Sequence, residues 1–142
     1  MIVEAKAGLF RHRVSVDGYE LPVHREGAGW HRVAGFGPIP ATRVRYSGWG
    51  DRLWIESPLG PLEVHFGWFS TSFEWRGRAY AVRSLFWGRI LIEEAGRTAI
   101  HGSTTWGGVR LDAITPEFVP IATGLALGLA LRQAATAAAS AG

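Results

Sequence analysis

The chain has no cysteine, no asparagine, one lysine (Lys6), one glutamine (Gln133) and no methionine beyond Met1. Without cysteine there is no disulfide, no thiolate metal site and no cysteine nucleophile, so stability has to come from packing. The scarcity of thermolabile side chains is compatible with a heat-adapted source. With lysine nearly missing, arginine carries the positive charge: fourteen of the 15 basic residues are Arg, against 12 acids, for a net charge of +3. A guanidinium binds carboxylate or phosphate through a planar fork. The balance therefore points either to an anionic partner or to a coding bias toward Arg, Gly and Ala. The N-terminal residues show no long apolar stretch after a basic start, so no secretory signal is expected and the cytoplasm is the simplest location.

What is present describes a globular chain. At 142 residues, 47% apolar and 19% charged, it suits one domain over residues 1–142 with a real core. From residue 9 to about 112, short alternating runs are broken by Gly, Pro, Asp and Ser. Leu53 and Ile55 oppose Trp54 and Glu56, and Val64 and Phe66 oppose Glu63 and His65, the period of a strand with one buried face. Asp17-Gly18, Gly48-Trp49-Gly50-Asp51, Pro58-Leu59-Gly60-Pro61 and Trp75-Arg76-Gly77-Arg78 carry turn chemistry. Strands are expected near 9–16, 19–23, 30–34, 42–46, 52–56, 62–66, 72–75, 79–85, 89–93, 98–101 and 109–112. No tandem repeat or long linker is read, and an antiparallel meander is preferred.

After Ile114 the texture changes to Leu, Ala and Gly. Thr115 suits an N-cap, Pro116 the first helical position and Glu117 the positive end of the dipole, whereas Pro120 is awkward unless the regular helix begins near it. The Leu alternation from 125 to 131 could also mark a strand. Its Leu and Ala composition, with no β-branched residue after Thr123, favours a helix over about 116–139. A helix apolar on every side sits in a core or a bilayer. The apolar stretch 118–131 spans about 21 Å against a bilayer core of about 30 Å, and extending it would carry Arg132 and Gln133 into lipid. A strand of six residues rises about 20 Å, which matches the helix. The expected fold is therefore mainly β: a closed antiparallel barrel of roughly ten to twelve strands enclosing one apolar C-terminal helix.

That order of elements resembles the tubby C-terminal-like superfamily, which includes the LURP-one-related proteins and the phospholipid scramblases. The likeness runs from Phe73-Glu74-Trp75-Arg76-Gly77-Arg78-Ala79-Tyr80 through Gly88-Arg89-Ile90-Leu91-Ile92 to Pro116-Glu117 and the helix, about half the chain. It implies a barrel of about twelve strands around a hydrophobic C-terminal helix. It also implies phosphoinositide or membrane-lipid contact, as in some members, and no firmly shared enzymatic activity. The chain is shorter than typical members and has no phosphoinositide-binding Lys/Arg motif that can be matched residue by residue.

Chemistry-bearing residues are sparse. His12, His24, His31, His65 and His101 lack metal-ligand spacing, although a fold could gather His24 and His31 around the Gly27-Ala28-Gly29 loop. Gly27-x-Gly29 and Gly35-x-Gly37 lack the context of nucleotide loops, no Gly-x-Ser-x-Gly elbow occurs, and Asp17, Asp51 and Asp112 have no local catalytic partner. No catalytic residue, cofactor or metal is expected. The anion-binding candidates are Arg11 with Arg13, Arg43 with Arg45, and Arg76 with Arg78, which equally suit a solvated strand face. Trp30, Trp49, Trp68 and Trp106 fall near turns, where an indole can meet a membrane interface or a partner, or pack on the rim. The expected function is a non-enzymatic binding or interaction module, cytoplasmic or peripheral to a membrane, that associates with anionic lipid or a protein partner and with no specific nucleic acid. The alternatives are a small enzyme using distant His, Asp and Arg residues, or a C-terminally membrane-anchored protein.

Overall fold

The structure is a computed structural model that describes residues 1–8, 11–67 and 70–141. Leu9, at the expected start of a strand, and Trp68, an expected turn aromatic, lie outside the described residues. Among the described residues thirteen strands form one antiparallel sheet: Val3–Ala7 (β1), His12–Val16 (β2), Tyr19–Leu21 (β3), Val23–Arg25 (β4), His31–Val33 (β5), Thr42–Ser47 (β6), Arg52–Ser57 (β7), Gly60–Phe66 (β8), Thr71–Trp75 (β9), Arg78–Ser84 (β10), Arg89–Glu94 (β11), Arg97–Thr105 (β12) and Gly108–Ile114 (β13). Their order is β3-β2-β1-β13-β12-β11-β10-β9-β8-β7-β6-β5-β4, a nearly closed barrel around one C-terminal helix. The two strands beyond the eleven expected segments have simple causes. Val3 and Ala5 face the core while Glu4 and Lys6 face outward, so residues 3–7 make a strand between β13 and β2. The expected strand 19–23 divides at Pro22, which has no N–H to give to a ladder.

That division also brings the edges together. β3 pairs only with β2 and β4 only with β5, yet one residue separates them in the chain, so the polypeptide itself crosses the seam. The Pro22 carbonyl accepts from the Ala34 amide at 3.0 Å. Asp17-Gly18, Arg76-Gly77 and Ala95-Gly96 close two-residue hairpins with positive φ at both positions, the backbone twist that such turns need.

The C-terminal element starts as 3-10 turns over Pro116–Ile121 and becomes a regular helix at Ala122–Ala141 (α1). Thr115 is extended and occupies the N-cap position, but its hydroxyl makes no capping bond. Pro120 is accommodated because it falls in the 3-10 segment, before the regular i to i−4 ladder is established. Leu125, Ala126, Leu127 and Ala130 are fully buried. Each leucine contributes about 1.5–3 kcal/mol of burial before entropy is subtracted.

The helix is off-centre. It packs against β1, β2, β6, β7 and β13, and its glycines set the approach. A Cβ on Gly124 would stand 2.8 Å from methyl carbons of Ile55 and Thr42, and one on Gly128 would overlap Leu53. Larger residues there would push the helix off that wall.

Candidate functional site

Strand direction sorts the turns into two ends. β13 delivers the chain to Pro116 at one end, the entry end, and α1 runs through the lumen to the other, the exit end. Because neighbouring strands are antiparallel, the turns at 17–18, 58–59, 76–77 and 95–96 share the entry end. Those at 48–51, 85–88 and 106–107 share the exit end.

The entry end is plugged. Phe118, fully buried, lies 4.7 Å from the Tyr80 ring in an edge contact and 5.6 Å from the Trp75 ring, and Tyr80 stacks on Phe73 at 5.2 Å. The exit end displays its aromatics instead. Trp49, Trp87 and Trp106 are 92%, 97% and 95% exposed. Trp87 is held at φ +66, a left-handed conformation that bulky side chains rarely adopt and that costs of order 1–3 kcal/mol.

These tryptophans belong to an evenly spaced series. Trp30, Trp49, Trp68, Trp87 and Trp106 fall nineteen residues apart, so the chain does carry an internal repeat. Each interval contains two antiparallel strands: β5 and β6, β7 and β8, β9 and β10, β11 and β12. Trp87 belongs to this series although it was not among the turn aromatics singled out above. Trp30 is half-buried, with the Arg43 guanidinium 4.5 Å from its ring centre, and does not join the exposed set.

Charge follows the same polarity. Three of the six strands that start at the exit end run from basic to acidic: Arg52 to Glu56 in β7, Arg89 to Glu93 and Glu94 in β11, Arg110 to Asp112 in β13. Lys6, Arg83 and Arg132 add to the exit end, and Glu74 and Glu117 to the entry end, where Arg76, Arg78 and Arg97 also stand. Arg132 is anchored, both Nε and Nη2 bonding Asp51 at 3.1 Å while its guanidinium covers the Phe66 ring at 4.2 Å. Burial works to raise the Asp51 pKa, and the bonds from Arg132 and Tyr46 overcome it, leaving it lowered. Burial, then the Asp51 hydrogen bond, pushes Tyr46 up to about 12.

Beside the helix on this end lies a cavity of about 770 Å³. It exists because α1 packs against β13, β1, β2, β6 and β7, leaving space on the side of β9 to β12. Its floor is apolar, with Phe66, Val82, Ile90 and Leu129, and Arg83, Arg89 and Gln133 line it as well.

The six candidate arginines are not gathered in one place. Arg76 and Arg78 stand at the entry end, where Arg78 contacts Glu117 at 3.2 Å and Glu94 at 3.7 Å and Arg76 lies over Trp75. Arg43 bonds Glu26 and Glu56, both at 2.8 Å, and Arg45 lies over Trp54. Arg11, paired with Glu20 at 2.6 Å, and Arg13 are near the start of β2, toward the exit end.

The histidines also sort differently from their sequence neighbours. His24 faces outward in register with Arg32, whereas His31 is buried and meets His12 across the seam, ring centres 4.8 Å apart. Burial first, then the Arg25 charge, lowers the His12 pKa; His31 is lowered by burial, then by His12 and Arg25. Among the described residues no group of three or more His, Asp or Glu could hold a metal. One hydrogen-bonded chain, Arg89 to His101 at 3.1 Å and His101 to Asp112 at 2.9 Å, converges from three strands. It lies on the outer barrel face, half-exposed rather than in a cleft.

No protein-family model matches the chain, and no curated protein or solved structure does either.

Proposed function

We infer that the protein is a non-enzymatic binding module that rests the exit end of its barrel on an anionic membrane surface. The single observation that carries this reading is the trio of almost fully exposed tryptophans, Trp49, Trp87 and Trp106, on one rim. Indoles left in water cost free energy, and the headgroup layer, wet at one face and apolar at the other, is where they settle. Charge complementarity favours an anionic surface, because Arg52, Arg83 and Arg89 share that end while Glu56, Glu74, Glu93 and Glu117 lie away from it.

Contact is peripheral. The stretch Pro116–Ala139 is long and apolar enough to cross a membrane by length and composition, but the part up to Ala130 fills the barrel core. Lipid contact is also what the resemblance to the tubby C-terminal-like superfamily would imply. That resemblance belongs to the proposal and is carried by architecture alone.

Co-sedimentation with vesicles of phosphatidylglycerol tests the reading. Wild-type protein is expected to pellet at low salt, to be released as salt rises and to ignore phosphatidylcholine vesicles. A Trp49→Ala, Trp87→Ala, Trp106→Ala triple variant is expected to stay in the supernatant with its melting temperature nearly unchanged, since exposed substitutions move stability by only about 0.5 kcal/mol each. Undiminished pelleting of the triple variant, or none by the wild type, contradicts it.

A further inference from the structure

We propose that the exit-end cavity binds one uncharged single-chain lipid, of the long-chain alcohol or monoacylglycerol type, with its chain against the core and its polar end at the mouth. The site is argued from the side chains that face inward and does not depend on the membrane reading.

Register fixes which side chains those are, because residues directly paired across antiparallel strands share a face. Phe66, Ile90 and Val109 belong to the core. Thr71 pairs with Phe66, Ser84 with Ile90 and Thr104 with Val109, so all three turn inward. These small side chains leave the wall thin on the side of β9, β10 and β12. Where the helix is seated, β1, β6 and β7 present Val3, Val44, Leu53 and Ile55 instead, and the space is filled.

The shape suits a chain. Leu129, Gln133, Thr136 and Ala137 fall on one face of α1 and border the cavity over about 12 Å of helix. Its volume of about 770 Å³ lies within the roughly 300–1,000 Å³ of small-molecule sites. Val82 lies deeper in β10 than Ser84, and Leu129 lies about two helical turns deeper than Thr136. Together with Phe66, Ile90 and Val109 they give an acyl chain an apolar floor.

The charges explain why the occupant is neutral. Among the described residues the lining holds no carboxylate. Alternation along β10 and β11 turns Arg83 and Arg89 to the outer face, against Glu93 at 3.7 Å and His101 at 3.1 Å. Arg132 is committed to Asp51 through both Nε and Nη2. An ionised headgroup would therefore lose water with no free countercharge facing it, which is costly. A neutral polar end meets the hydroxyls of Thr71, Ser84 and Thr104, each able to donate and to accept. None of these three hydroxyls bonds another group among the described residues.

Calorimetric titration with decanol tests the site. Saturable binding is expected, weaker by about tenfold or more for decanoate and for decyltrimethylammonium, which keep the chain and carry opposite charges. The decanediol with a hydroxyl at each end is also expected to bind more weakly, since one hydroxyl would lie on the apolar floor. Ser84→Trp, which fills the mouth from an exposed position on β10, should abolish decanol binding while the protein melts normally. If that variant fails to fold, the Ser84→Ala, Thr104→Ala variant serves instead and should bind decanol about tenfold more weakly. The triple tryptophan variant should bind decanol as wild type does while losing vesicle binding, which separates failure of this site from failure of the membrane reading. Absence of saturable binding by the wild type, equal affinity for decanol and the two charged amphiphiles, or binding that survives Ser84→Trp in a folded protein overturns the proposal.

Discussion

Both ends of the barrel are rich in aromatic residues, and they use them in opposite ways. At the entry end Phe73, Trp75, Tyr80 and Phe118 stack into a plug, whereas at the exit end Trp49, Trp87 and Trp106 face solvent and a cavity remains beside the helix. The chain's path explains the difference. Pro116–Ile121 enters as tight 3-10 turns that drop Phe118 into the lumen, while the departing helix offers Ala, Gln133 and Arg132 and seals only the side toward Asp51. One end is closed by packing, and the other keeps exposed aromatics and open space.

The largest test of that contrast is Phe118→Ala, expected to cost about 3–5 kcal/mol because it removes the centre of a closed aromatic cluster. Leu129→Ala, which faces existing space, is expected to cost clearly less. Equal losses in urea denaturation would mean that the two ends are packed alike.

A smaller effect is expected with pH, and it falls on the exit half of the seam, where His12 starts β2, His31 starts β5 and Arg25 ends β4. Both histidine pKa values are lowered in the folded protein from 6.5. The unfolded chain therefore takes up more protons, and stability is full above about pH 6.5 and declines as pH drops below it. Melting temperature should fall on acidification through that window, and less steeply in a His12→Gln, His31→Gln variant. A wild type and variant with parallel profiles would remove the seam as the cause.

Much of the fold was legible in the sequence because period-two alternation and Gly-centred turns are local signals. The apolar helix was legible from composition and its place in the core from length. β1 was missed although Val3 and Ala5 alternate with Glu4 and Lys6, since the segment is short and lacks turn punctuation before it. Pro22 divided a strand whose apolar pattern runs through it. The site was less legible for a geometric reason. Strand alternation tells which face an arginine occupies, whereas contact with a surface depends on which end of the barrel it is near, and that follows from strand direction. The nineteen-residue tryptophan spacing is the signal that reports it, since each interval contains two strands and so returns to the same rim. The cavity had no local signature, because it depends on which helix face leans on which wall.

Since the chain contains no cysteine, one introduced thiol can be labelled alone, and this permits the most direct test of the central claim. An environment-sensitive fluorophore placed through Trp106→Cys at the exit end, and in a second protein through Leu59→Cys at the entry end, is to be read with phosphatidylglycerol vesicles. A blue shift at position 106 with none at position 59 is the predicted result. A shift at position 59 alone, or the same shift at both, would contradict docking through the tryptophan-bearing end.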